Sequence, residues 1–205
     1  VDRVSIKSAK LYCDYVFLDV FERKKFAEVK NTKMLIEQFQ ISDGHNVYAN
    51  ETTKKIALKF NHPVKELYWV YQSNTNLDMN YLGNYSSDDR DGVPNNSENH
   101  KPFKTVELKL NNQDRFRKRH SDYFRLVQPY QFHTRSPIDF IYSYSFALHP
   151  ERLQPSGSCN FSKIDNSTLI LELVDGIKAG RITVYAYSYN VLIIQNGMAG
   201  LEFSS

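Results

Sequence analysis

Apolar and polar side chains trade places at every second position in several short stretches of this chain, and that period constrains the fold more than any other feature. Ile56, Leu58 and Phe60 sit against Lys55 and Lys59, and Val106, Leu108 and Leu110 against Glu107 and Lys109. Successive side chains of a strand point to opposite faces, so this pattern predicts strands with one face buried. Comparable stretches occupy residues 33–41, 66–72, 140–148, 168–174 and 181–194, each bounded by Gly, Pro, Asn or Asp clusters, with a short tail strand near 201–203. Strands this short, with almost no helical periodicity between them, can bury their apolar faces only as two packed antiparallel sheets. The aromatic content supports this: 14 Tyr and 13 Phe against one Trp favour half-buried pleated surfaces over helices. With 205 residues, one such domain plus a flank is expected.

Four stretches depart from the rhythm. Leu11-Tyr12-Cys13-Asp14-Tyr15-Val16-Phe17-Leu18 is strand-like but has no obvious partner upstream. Asp19-Val20-Phe21-Glu22, followed by Arg23-Lys24-Lys25, predicts a turn or two of linker helix that begins at an Asp cap with Glu at its third position. Residues 73–102, rich in Asn, Asp, Ser and Gly, are too long for a hairpin and too polar for a core, which predicts a large exposed loop. Residues 121–127 predict a short helix capped by Ser121 that covers one end of the sandwich.

Charge and cysteine usage narrow the chemistry. A net charge of +3, from 26 basic and 23 acidic side chains, is too balanced for a surface that tracks phosphates. Cys13 and Cys159 are far apart and outside any C-x-x-C spacing, so free thiols are expected. The longest aliphatic run, Val191-Leu192-Ile193-Ile194, falls far short of the roughly 20 residues of a membrane-spanning helix. The opening Val1-Asp2-Arg3-Val4 has neither an initiator Met nor a secretory pattern, which suggests a chain that begins within a longer protein or was processed.

The motifs with a chemical reading are weak. Ser87-Asp88-Asp89-Arg90-Asp91-Gly92 through Glu98 approaches a calcium loop, but Ser stands at the first ligand position, Pro94 interrupts it and no helices flank it. Arg115, Phe116, Arg117, Lys118, Arg119 and His120 form a basic cluster bordered by Asp114 and Asp122, expected to be a charged turn or a patch against a neighbouring subunit. His45, His62, His100, His120, His133 and His149 never fall at H-x-x-x-H or H-x-H spacing. No G-x-S-x-G elbow or glycine-rich phosphate loop occurs. Sequons stand at Asn50, Asn84, Asn95, Asn160 and Asn166. No catalytic, cofactor-binding or metal-ligating residue is assigned on this basis, and no cofactor is expected.

Several ordered segments resemble the major capsid proteins of the nucleocytoplasmic large DNA viruses. Asp14-Tyr15-Val16-Phe17-Leu18-Asp19 with Glu22-Arg23-Lys24-Lys25-Phe26-Ala27 is similar to the junction between that family's two jelly rolls, and Leu35-Ile36-Glu37-Gln38 to the opening strand of the second. Glu66-Leu67-Tyr68-Trp69-Val70, Glu107-Leu108-Lys109-Leu110-Asn111 and Tyr123-Phe124-Arg125-Leu126-Val127-Gln128-Pro129-Tyr130-Gln131, completed by His133-Thr134, follow in the family's order. The most specific run is Ile141-Tyr142-Ser143-Tyr144-Ser145-Phe146-Ala147-Leu148, continuing through Gln154-Pro155-Ser156-Gly157 to Cys159-Asn160-Phe161-Ser162-Lys163-Ile164-Asp165-Asn166. Tyr189-Asn190-Val191-Leu192 and Asn196-Gly197-Met198-Ala199-Gly200-Leu201 resemble its closing strand and terminus.

The resemblance implies an all-β jelly-roll β-sandwich of about eight antiparallel strands with one or two short helices, the second half of a double jelly roll. Residues 1–31 would be the tail of the first jelly roll and a linker, and 32–205 the C-terminal jelly roll. It further implies a structural virion protein without enzymatic activity: a homotrimeric, pseudo-hexagonal capsomer in an icosahedral capsid, assembled in the host cytoplasm. Its partners would be itself, neighbouring capsomers, minor capsid proteins and, through other proteins, an underlying membrane, with no direct nucleic-acid contact. Residues 73–102 would face outward from the capsomer. In this reading Phe140, Tyr142, Tyr144, Phe146 and Leu148 fill one core stripe while Ser143 and Ser145 face away. Residues 11–18, without their sheet, should dock elsewhere or aggregate. The alternatives are a carbohydrate-binding, lectin-like jelly roll and a hydrolase on the same scaffold, which would need converging carboxylates in a cleft.

Overall fold

The computed structural model describes residues 7–28, 31–78, 81–87, 100–195 and 198–203. Its strands are β1 (Thr32–Ile41), β2 (His45–Val47), β3 (Thr53–Ala57), β4 (Pro63–Ser73), β5 (Phe103–Leu110), β6 (Gln113–His120), β7 (Tyr142–Ser145), β8 (Cys159–Asn160), β9 (Ser167–Leu173), β10 (Gly180–Gln195) and β11 (Met198–Leu201). One sheet has the order β1-β10-β4-β7, with β2 and β11 also on β10 and β8 on β4; the other has the order β3-β9-β5-β6.

Setting aside the three short additions β2, β8 and β11 leaves eight principal strands among the described residues. Counted along the chain, they run first-eighth-third-sixth in one sheet and second-seventh-fourth-fifth in the other. First lies beside eighth, second beside seventh, third beside sixth and fourth beside fifth. This is the order produced when one long hairpin-like ribbon is wound into two facing sheets, the jelly roll.

The chain divides into two compact units, residues 37–189 and residues 1–36 with 190–205. The sandwich core lies in the first. Strict alternation along β9 buries Leu169, Leu171 and Leu173 while the residues between them stay partly open. These pack with Val106 and Leu108 of β5, Leu67, Trp69 and Tyr71 of β4, and Ile182, Val184 and Ala186 of β10. Aromatic rings fill one end: Trp69 stacks on Tyr142 at 6.1 Å, and Phe103 meets Tyr142 edge-on at 5.0 Å. Such pairs add about 0.5–1.5 kcal/mol each beyond their buried area.

In the second unit, helix α1 (Val20–Glu28) begins with the expected capping box. The Glu22 amide donates to Asp19 Oδ1 at 2.8 Å, and the Asp19 amide donates back to Glu22 Oε2 at 3.3 Å. The helix is longer than a single turn and buries no side chain. Residues 11–18 form no strand: among the described residues their backbone has no ladder partner, and Leu11, Tyr12, Tyr15, Val16 and Phe17 are exposed.

The sandwich corrects several sequence-based expectations. The basic cluster is strand β6 and not a turn. The turn precedes it at Asn111 and Asn112, whose φ angles of 50° and 63° make a two-residue hairpin connection closing on the Leu110–Gln113 pair. The core stripe at 140–148 is shorter than its alternation suggests. The Ser145 hydroxyl bonds to the Ala147 backbone, and the Phe146 and Ala147 amides both donate to Lys65 O, so the chain bends and Leu148 swings out to 67% exposure. Tyr144 and Phe146 are only half-buried at the margin of the core.

Ser143 and Ser145 do not face solvent. They share the outer face of their sheet with Tyr68 and Glu66, and chain segments on either side of the sheet bond onto that face and bury it. Ser121 does not cap the following helix through its side chain. Its hydroxyl donates to Phe103 O while its carbonyl accepts from the Phe124 amide, starting a π-helical turn (Tyr123–Val127) that runs into α3 (Gln128–Phe132). The predicted exposed loop at 73–102 begins instead as a packed segment. Helix α2 (Asn74–Asp78) follows β4 directly, and Asn76, Asn84 and Ser86 are buried and hydrogen-bonded to one another.

Candidate functional site

The outer face of the β1-β10-β4-β7 sheet carries the most concentrated ionisable chemistry among the described residues. Its origin is a bulge: Tyr187 pairs with Glu66 and Ser188 with Val64, so Lys65 is an extra residue on β4. Val64 and Leu67 both enter the core, and the adjacent Lys65 and Glu66 are both left outside it. Two charged groups consecutive in sequence thus lie under the covering segments with almost no access to water, and each must be matched where it stands.

Lys65 has no exposed surface. Its Nζ pairs with the Glu37 carboxylate and lies 4.1 Å from the Tyr187 ring centroid and 5.3 Å from that of Tyr189. The Tyr187 hydroxyl donates to the other Glu37 oxygen, and Phe39 stacks on the Tyr187 ring at 4.4 Å. Burial opposes the charge on Glu37, but hydrogen bonds from Lys65 and Tyr187 outweigh it and hold the carboxyl below its usual range. The same bond to Glu37, reinforced by burial, pushes the Tyr187 hydroxyl up to about 12.

Glu66, 1% exposed, is matched on both oxygens. Tyr68 donates its hydroxyl to Oε2 at 2.7 Å, and His133 Nε2 lies 2.6 Å from Oε1. His133 Nδ1 faces Glu151 at 3.4 Å, and that carboxylate also accepts from the Thr134 amide at 3.0 Å and the Thr134 hydroxyl at 3.2 Å. The hydrogen bond to Glu66 raises the His133 pKa despite burial, with the charges of Glu66 and Glu151 adding to it. The Thr134 amide lowers that of Glu151. Burial, then Glu66, drives the Tyr68 hydroxyl far above its ordinary value.

This arrangement fastens the molecule and leaves no room for a substrate. A glycosidase pair flanks open space with one carboxyl free to donate and the other to attack or activate water. Here Glu66 is sealed and both of its oxygens are occupied. A surface depression of about 370 Å³ is lined by Ile41, Ser42, Asp43, His45, Ala57 and Lys59 and brings a single carboxylate to a single imidazole. Burial, then the charge of Lys54, lowers the pKa of that imidazole. Among the described residues no three His, Cys, Asp or Glu side chains converge to hold a metal.

The basic side chains of β6 each meet a partner within the chain, although the strand itself stays exposed. Lys118 pairs with Glu172 at 2.6 Å, Arg117 with Asp114 at 3.6 Å and His120 with Asp122 at 3.2 Å. Arg119 lies over Tyr123 at 4.1 Å, and Arg115 over Phe146 at 5.6 Å. The strand is the edge of its sheet and carries two register irregularities against β5. Charge and bulging on an edge strand are how sheets avoid pairing with strangers.

Of the sequons, Asn84 is buried, whereas Asn50, Asn160 and Asn166 are exposed; the Asn160 side-chain oxygen accepts from the Ser162 amide. Asn95 and the calcium-like run beyond Ser87 lie outside the described residues. His62 is buried at a positive φ of 65°, in a turn role. The Glu66–His133 pairing escaped the sequence reading. Its signal was the Lys65-Glu66 pair interrupting an otherwise apolar strand, where any charge demands a partner.

Residues 22–200 match the family described as large eukaryotic DNA virus major capsid protein. The chain belongs to that family. The major capsid protein of Phaeocystis pouchetii virus is 35% identical over 98% of this chain and 54% of its own length. That of Pyramimonas orientalis virus is 38% identical over 98% of this chain and 50% of its own length. The chain therefore spans about half the length of these curated relatives. Among solved structures, a quasi-atomic model of the PBCV-1 virus capsid superposes with a TM-score of 0.79 at 32% identity, covering 93% of this chain and 56% of the other. The Faustovirus major capsid protein shares the fold, with a TM-score of 0.62 at 13% identity. The family is one of capsid proteins of large DNA viruses.

Proposed function

We propose that residues 32–205 are the C-terminal jelly roll of a capsid subunit, and that residues 1–31 are the tail of a preceding jelly roll and its linker. Three subunits would form a pseudo-hexagonal capsomer, and capsomers would tile an icosahedral shell assembled in the host cytoplasm. Partners in this reading are other copies of the subunit, minor capsid proteins and, through other proteins, an underlying membrane. Nucleic acid is not among them in this reading, because a net charge of +3 is too balanced for a surface that tracks phosphates.

The single observation that carries this reading is the superposition on the PBCV-1 capsid over 93% of the chain at 32% identity. A sandwich with a continuous interlocked core suits the role: a tile needs a rigid body, and no cleft need open or close. The carbohydrate-binding reading asks for an exposed ring beside free polar groups. The exposed ring of Phe39 stacks on Tyr187, whose hydroxyl and whose neighbour Glu37 are already committed to each other and to Lys65. Native mass spectrometry of the full-length subunit tests the proposal. A trimer is the expected species, and a subunit that stays monomeric at every concentration overturns it.

A further inference from the structure

His133 stands where three pieces of chain meet. Its backbone ends α3, with its amide donating to Pro129 O, and its ring reaches Glu66 on β4 by one nitrogen and Glu151 in the turn after β7 by the other. Beyond it, residues 133–141 have no regular structure until Phe140 is buried beneath Arg125, whose guanidinium lies 5.0 Å from the Phe140 ring. Ile138 in between is exposed. The near end of that segment is fixed by His133 and Thr134, both of which close on carboxylates.

The chemistry of imidazole makes this grip depend on a proton. A neutral ring carries one N–H and one lone pair, whereas the imidazolium carries two N–H groups. With a carboxylate at each nitrogen, only the imidazolium satisfies both. Once neutral, the ring keeps its proton toward one carboxylate and turns a lone pair on the other. Glu66 is sealed at 1% exposure and cannot be left unpaired, while the Glu151 side chain is 41% exposed and can return to water. Glu151 is therefore the side that loosens, left with the Thr134 amide and hydroxyl alone.

We infer that His133 is a proton-operated latch: its imidazolium, together with the Thr134 donors, holds the turn containing Glu151 against the end of α3 and β4, and loss of the proton loosens that turn while the Glu66 side stays closed.

The groups facing the ring are Glu66 and Tyr68 from β4, the latter with its ring centroid 6.3 Å away, and Glu151 from the turn; Tyr187 of β10 acts on Tyr68 in turn. Among the described residues no lysine or arginine pairs with either carboxylate, so once the ring is neutral Glu151 keeps only the uncharged donors of Thr134. The folded pKa of His133 is raised, so the latch is fully closed below the ordinary histidine value and opens as pH rises through the folded value. The carboxyl of Glu151 is held below its ordinary range, so acid releases the turn only once the pH falls through that lowered value.

Hydrogen exchange read by mass spectrometry on the full-length subunit between pH 6 and 9, corrected for intrinsic exchange, tests the latch. Peptides covering residues 148–155 should lose protection severalfold as pH rises, while peptides from β9 keep theirs. His133→Gln should leave the turn at its weaker, high-pH protection across the whole range. Glu151→Gln should abolish the pH dependence with the turn still held, because a side-chain amide can donate to the lone pair of a neutral ring. Protection of this turn in the unsubstituted subunit that does not change with pH overturns the inference without any variant. So does a Glu151→Gln subunit with an unaltered pH profile.

Discussion

Lys65 and Glu37 form an ion pair whose two ends differ sharply in their access to water, and that asymmetry can be measured. Removing Glu37 by substitution with Met leaves an ammonium with no exposed surface and only the rings of Tyr187 and Tyr189 beside it. An uncompensated buried charge costs about 3–5 kcal/mol. Removing Lys65 by substitution with Met is a different perturbation. Glu37 keeps the Tyr187 hydroxyl and about a fifth of its side-chain surface, so water can replace the lost partner. The new apolar side chain has similar volume, and the change should fall within about 1 kcal/mol of neutral. The double substitution removes both charges, and its stability should return close to that of the Lys65→Met protein. The readout is convenient because Trp69, the only tryptophan of the sequence, is fully buried between Phe124 and Tyr142. Urea titration followed by its fluorescence gives all corners of the double-mutant cycle. Equal losses in the two single variants, or a Glu37→Met loss below about 1 kcal/mol, would refute the claim that burial of Lys65 sets the balance.

Three further outcomes are expected. Asn112→Gly should stabilise the β5–β6 hairpin by a few tenths of a kcal/mol to about 1, because φ is 63° there, whereas Asn111→Gly should destabilise it, since Asn111 Oδ1 accepts from the Asp165 and Asn166 amides; opposite shifts in urea midpoint are the check. Tyr142→Ala should cost about 3–5 kcal/mol and Phe146→Ala clearly less, because the Tyr142 ring is wholly buried and that of Phe146 only partly; equal losses by fluorescence-detected urea titration would count against the assigned burial. Asp19→Ala should lower the helical circular dichroism signal of a peptide spanning residues 15–30, a capping loss of about 1 kcal/mol, and an unchanged spectrum would show that the Asp19–Glu22 exchange contributes nothing.

Strands whose partners bury one face and wet the other were readable from residue order alone. β9 is the clearest case, with Leu169, Leu171 and Leu173 inside and polar or half-open positions between. The capping box at Asp19 was equally legible, because both of its hydrogen bonds lie within four residues of one another. β6 was not. Phe116 is its one clearly inward apolar side chain, and its arginines cover aromatic rings in place of aliphatic neighbours, so the period of two vanishes from the sequence. The latch at His133 was illegible for another reason: Glu66, His133 and Glu151 are brought together by long-range winding, and no local spacing encodes them. Ser143 and Ser145 misled because polarity normally marks a wet face, and here that face is roofed by other segments of chain.

The pairing of first strand with eighth, second with seventh, third with sixth and fourth with fifth has a kinetic meaning. Only the fourth and fifth, β5 and β6, are joined by a tight turn, so loop-closure entropy is least at Asn111-Asn112 and grows with every pair added outward. Assembly of the sandwich should therefore begin at that turn and finish with the outermost pair. Until then the half-built molecule presents raw ladder edges to its neighbours. A cell making many copies at once would face that hazard throughout synthesis, and the strand formed earliest is the one whose rim is already crooked and charged.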